Sequence, residues 1–172
     1  MITPKYCRTM ARYNAWQNAQ LSGYLVDLPT AEVTADCKGF FGSLLGTVNH
    51  LLWGDTIWMA RFDGGPLPSC GIPDSPALCA SLADWAAARQ EMDARIARWA
   101  DGLDQAALNG DMTWFSGAAG REVSKPLALC VTHMFNHQTH HRGQAHAMLT
   151  ATGSGAPVSD LFLMPEEVTV GG

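Results

Sequence analysis

The chain has no CxxC pair, and its five cysteines, at positions 7, 37, 70, 79 and 130, are scattered and odd in number. That spacing excludes a cysteine zinc site and argues against a disulfide framework, so the thiols are expected to be free and buried. No stretch approaches the ~18–20 continuous apolar residues that a membrane-spanning helix needs. Charged residues make up only 16% of the chain and leave a net charge of −5. Like charges do not run together, and the concentrated basic face of a nucleic-acid binder is missing. The first residues, through Arg8, are too polar for a signal-peptide core, which gives the expectation of a cytoplasmic protein.

What is present suits a globular chain: 172 residues, 47% of them hydrophobic, enough to bury a core without covalent staples. One domain over residues 1–172 is expected. Four long segments read as helices: Pro4 to Leu28, Phe41 to Phe62, Ser81 to Asp101, and Pro126 to about Thr152. Pro4 suits a first helical turn, Ser43 is a candidate cap, and Ser81 to Asp84 resembles a capping box with Asp in place of Glu. Gly153 marks the last stop. A Gly-, Pro- and Ser-rich loop spans 64–76, a length that in a compact domain often carries function. Before the fourth helix, Met112–Phe115 and Arg121–Val123 flank a Gly-rich turn at 117–120, the pattern of a short β-hairpin. The fold class is all-α, a four-helix bundle with that hairpin appended.

Five of the six histidines fall between His133 and His146, within the fourth helical segment. Two histidines four residues apart on a helix can grip one ion. At about 100° per residue, His141 falls inside the apolar stripe formed by Leu127, Cys130, Val131, Met134, Ala145, Met148 and Leu149. His137 lies at its edge. His133 and His140 lie further round, and His146 points roughly opposite, as a surface residue. His133 and His141 are about 12 Å apart along the axis, too far to share an ion through bonds of about 2.1 Å. A third ligand must come from another element. His50 is the one histidine outside the cluster, although it lies off the apolar stripe of its own helix, whereas Asp55 lies on that stripe and could serve instead. Both readings stand at this point. The bland alternatives are a partly buried HxxxH pair without metal, a surface Asp55, a solvated or carboxylate-paired Arg142, and six tryptophans as core filler. The Gly-rich turn matches no phosphate-binding motif.

The chain resembles the DinB-like family, which includes the YfiT-type metalloproteins. The resemblance rests on Tyr13-Asn14-Ala15-Trp16-Gln17-Asn18, on the run from His50 to Arg61, and most strongly on Asn136-His137-Gln138-Thr139-His140-His141-Arg142-Gly143-Gln144. It implies a four-helix bundle, commonly a homodimer, with one divalent ion held by His50, His137 and His141. Zinc or nickel is the expected ion in a purified sample, with iron or manganese as further choices. The family's members are similar to metal-dependent transferases using low-molecular-weight thiols, to a thiol-dependent isomerase, and to hydrolases. The expected function is therefore a three-histidine metalloenzyme acting on a small molecule, with Asp55 as a partner behind a ligand or a nearby base and Arg142 for an anionic group. The competing class is a non-catalytic metal-binding stress or regulatory module. No nucleic-acid or membrane partner is implied.

Overall fold

A computed structural model of the chain describes residues 2–117 and 119–168. Helix α1 (Pro4–Val26) begins at Thr3, whose Oγ1 accepts the Tyr6 amide, and Pro4 takes the first turn, where a missing N–H costs nothing. A short α2 (Thr30–Thr34) follows Pro29. Helix α3 (Leu44–Asp63) starts at Ser43, whose Oγ accepts the Gly46 amide, and stops at Gly64, whose φ of +72° suits a residue without a Cβ. Helix α4 (Leu82–Asp101) carries the expected box, with Ser81 Oγ accepting the Asp84 amide and donating to its carboxylate. A one-turn α5 (Gln105–Leu108) leads into strands β1 (Asp111–Ser116) and β2 (Arg121–Pro126). These pair antiparallel, with Trp114 opposite Val123 and Ser116 opposite Arg121. Ala118, in the turn, lies outside the described residues. Helix α6 (Leu127–Ala151) ends before Gly153, at φ +85°.

Helix α1 packs on α4 and α6, and α3 packs on α6 and α4, which closes a four-helix bundle. Its core holds Leu25, Leu44, Val48, Met59, Trp85, Ile96, Met134, Phe135 and Leu149, all essentially inaccessible. Burying each such side chain contributes roughly 1.5–3 kcal/mol. The boundaries match the expected segments within a few residues, because the caps that set them are local. Elements of one or two turns were not anticipated: α2, α5, and the 3-10 turns at Ile72–Ala77 and Leu161–Leu163.

Three side-chain expectations need correction. Only Trp53 and Trp85 of the six tryptophans are fully buried; Trp16, Trp58, Trp99 and Trp114 are half-buried. Cys37 is exposed, and Cys70 and Cys79 are only partly covered. His146 is half-buried, its Nε2 3.2 Å from the Pro157 carbonyl, because residues after α6 fold back over that face. No described helix is long and apolar enough to cross a membrane.

Candidate metal centre

Helix α3 is buried nearly all round from Leu44 to Asp55, so its apolar pattern could not orient it. Packing against α6 does. Where the two helices cross, His50 meets His137 and His141, and the three offer ligand atoms within 4.8 Å of one another. Two metal–nitrogen bonds of about 2.1 Å would set a separation of roughly 3–3.5 Å, so the nitrogens have only to draw closer through side-chain rotation to reach coordination. Ring centroids stand 4.3 Å apart for His137 and His141, 4.8 Å for His50 and His141, and 5.3 Å for His50 and His137.

Two of the rings are held from behind. Ser75, in the 3-10 turn, donates its hydroxyl proton to the Ile72 carbonyl at 2.7 Å, so its oxygen is left to accept from His50 Nδ1 at 2.8 Å. That fixes the proton on Nδ1 and leaves the Nε2 lone pair free. His141 Nδ1 donates in the same way to Gln144 Oε1 at 2.7 Å. His137 differs: its Nδ1 is buried and has no hydrogen-bond partner. Its ring lies against Gly54, where an added Cβ would come within 2.5 Å of Cε1 and 3.0 Å of Nδ1. The absent side chain at position 54 makes the space this imidazole occupies.

Phe41 walls the site, stacked on His50 at 3.8 Å and 17° and edge-on to His141 at 5.3 Å. It sits on a turn closed by the Gly42 amide donating to the Gly39 carbonyl, with Gly42 at φ +77°. Burial holds the imidazoles neutral: His50 is pushed down to about 4, by desolvation first and by His141 second. His137 falls to about 3 through desolvation and then its histidine neighbours, and burial lowers His141 too. Neutral nitrogens are the form that binds a cation. The donor set, the free Nε2 lone pairs and the orphaned nitrogen all fit a bound ion.

Asp55 and Arg142 make no hydrogen bond to the three histidines and belong to a buried polar network. Asp55 is fully buried, accepting from Arg89 Nη1 at 2.5 Å and Gln138 Nε2 at 2.8 Å, with no hydrogen bond to a histidine. Arg89 also pairs with Asp93 at 2.9 Å, and Asp93 accepts from Asn14 and Asn18. Arg142 is buried and donates to Asn14 Oδ1. This network joins α1, α3, α4 and α6 through the bundle centre, and its two aspartates balance its two arginines. Burial alone would lower Arg89, but the two carboxylates outweigh it and its pKa is raised; burial raises Asp93. Arg142 opens onto a cavity of about 300 Å³ with Tyr13 and Gln17, whose lining includes none of the three histidines.

The 64–76 loop is not loose. Trp53 Nε1 donates to the Cys70 carbonyl at 2.8 Å, and Asn49 Nδ2 donates to the Pro76 and Cys79 carbonyls at 2.9 Å each. The sequence reading missed Ser75, Gly54, Gln144 and Phe41. A glycine inside a helical pattern is a signal of close approach that could have singled out Gly54. Gln144 stands three residues after His141, on the same helix face. Nothing in the sequence linked Ser75 or Phe41 to His50.

Comparison with known proteins agrees with the architecture. A DinB-like protein of Bacillus cereus has the same fold, with a TM-score of 0.59 and 16% identity over 83% of this chain and 90% of that one. The protein DinB of Bacillus subtilis (strain 168) is 25% identical over 158 residues, 88% of each chain. The DinB family profile matches residues 1–168, and the chain belongs to the DinB family.

Proposed function

We propose that His50, His137 and His141 bind one divalent metal ion with coordination positions left open, and that the protein is a metal-dependent enzyme acting on a small molecule. The observation that supports this best is the convergence of three neutral imidazoles from two helices, two of them with Nδ1 already committed to an acceptor. A closed structural site uses four protein ligands, whereas three leave room for a substrate or water. When bound, such an ion would acidify a coordinated water or thiol and keep it nucleophilic near neutral pH. Thiol-dependent S-transfer or isomerisation is the favoured reaction class, with hydrolysis the variant, on the resemblance to the family's members.

The chain's own residues have definable tasks in this reading. Ser75 and Gln144 hold the Nδ1 protons of His50 and His141 and keep both rings turned toward the third. Gly54 admits His137. Phe41 shields one side from water. Asp55 acts at a distance, because its grip on Gln138 ties α6, beside His137, to α3 and α4. Arg142 has its place in the buried network.

The test is elemental analysis of untagged protein, with His50→Ala, His137→Ala and His141→Ala alongside. About one ion per chain, lost in each variant, is expected. No metal in the wild type, and no uptake of zinc, nickel, iron or manganese, would end this reading. A coordination sphere with no exchangeable water would favour the non-catalytic metal-binding module.

A further inference from the structure

Beyond the triad, α3 and α6 bring further aromatic and basic side chains together. One turn before His137, His133 stands with its ring 6.0 Å from that of His137 and 5.0 Å from Trp58. Trp58 lies edge-on to Trp114 of the hairpin, at 5.7 Å. Arg61 stands beside this pair, its guanidinium carbon 4.5 Å from the Trp58 centroid and 5.4 Å from that of Trp114. Among the described residues, no carboxylate lies within ion-pair distance of Arg61, whereas Arg89 pairs with two and Arg95 with one. Arg61 is half-buried, and desolvation lowers its pKa. A guanidinium resting on aromatic rings has no hydrogen-bond acceptor there for its in-plane N–H groups, and those groups match a carboxylate two at a time. The cation–π contacts also fix the guanidinium at little entropic cost before any ligand arrives.

We infer that Arg61, Trp58, Trp114 and His133 form a subsite for an organic anion, with Arg61 taking a carboxylate and the two indoles taking the apolar body beside it. This rests on the metal-centre reading only for its role, since the subsite would extend that centre's substrate pocket. Gly54, against His137, and Arg61 are seven residues apart on one helix, about 10 Å along the axis. A molecule of that length could lie with one end at the triad and its acid on Arg61. Such a substrate is an amphipathic carboxylate rather than a bare inorganic ion, because two indoles and an imidazole stand beside the cation. The arginine would then set specificity: an ester or amide analogue would keep the stacking and lose the charge-assisted pair.

The test follows the six tryptophan indole N–H signals of ¹⁵N-labelled protein by NMR, assigned with Trp58→Phe and Trp114→Phe. The probes are 2-naphthylacetate and its neutral amide, each titrated into EDTA-treated and into zinc-loaded protein. Saturable shifts of the Trp58 and Trp114 signals are expected, with the carboxylate bound about tenfold tighter than the amide. The preference should vanish in Arg61→Gln and persist in part in Arg61→Lys, which keeps the charge and guards against a folding artefact in the first variant. Equal affinity for acid and amide, a preference that survives in Arg61→Gln, or shifts confined to other tryptophans would overturn the inference. Failure of the protein to take up zinc, nickel, iron or manganese, with the Trp58 and Trp114 shifts intact, would defeat the metal-centre reading and leave this subsite standing.

Discussion

Adding one methyl group at position 54 should separate metal affinity from fold stability. A Cβ there would stand 2.5 Å from His137 Cε1, closer than unbonded carbons tolerate, so the imidazole must swing away or α3 and α6 must part. Overpacking of this kind costs roughly 1–3 kcal/mol. Replacing glycine by alanine inside a helix returns about 1 kcal/mol of propensity. The two terms largely offset each other, so metal-free Gly54→Ala should melt within a few degrees of the wild type. Its metal site should not survive as well. A displaced His137 removes or misplaces one of three nitrogens, and zinc affinity should fall at least as far as the roughly 10–100-fold seen when a ligand's supporting partner is lost. Gly143→Ala supplies the control, because it places the same methyl on α6 in open space. The assay is zinc titration against a chromophoric chelator, with thermal melts in excess EDTA. If Gly54→Ala binds zinc as tightly as Gly143→Ala, the steric argument is wrong, and His137 either is not a ligand or has room to move.

Three further outcomes are expected. Ser75→Ala, which frees the His50 Nδ1 proton from its acceptor, should weaken zinc binding by roughly 10–100-fold in the same titration while the helical circular dichroism stays unchanged. Arg89→Met leaves Asp55 and Asp93 buried without their cation, a loss of about 3–5 kcal/mol or roughly 6–20 °C in Tm for a chain of this length. Without that cation, buried Asp93, whose pKa burial already raises, binds a proton that the unfolded chain does not, so the gap to wild type should narrow between pH 8 and pH 5; a gap independent of pH would refute the network assignment. Metal-free protein should lose stability as pH falls from about 6.5, where unfolded histidines titrate, toward the folded-state values of about 4 for His50 and about 3 for His137. In that window the unfolded chain holds more protons, so ΔG rises with pH; chemical denaturation should show a drop on the order of 2 kcal/mol for each of the two histidines by pH 4.5, reduced in His50→Gln/His137→Gln.

Much of the fold could be read from local signals. Thr3, Ser43 and Ser81 cap their helices with hydroxyls on amides three residues away, and Gly64 and Gly153 take the positive φ that ends a helix, so the boundaries followed from residues adjacent in sequence. The His137–His141 pair was equally accessible, because one helical turn places both on a shared face whatever surrounds it. His50 was not: its helix is apolar nearly all round, and only the crossing with α6 determines which side faces the histidines. Asp55 lay on the inward stripe of that helix, and the packed bundle pairs it with Arg89 and Gln138, 34 and 83 residues away.

The helices, the hairpin and the histidine pair were legible before any packing was known, since each depends on hydrogen bonds or side-chain spacings within a few residues, and the family resemblance rests on short motifs. Packing alone establishes that Ser75 orients His50, that Gly54 makes room for His137, and that Arg61 rests beside indoles from α3 and the hairpin. Those contacts join elements distant along the chain, and close packing of whole helices, rather than any local preference, sets which atoms meet across them.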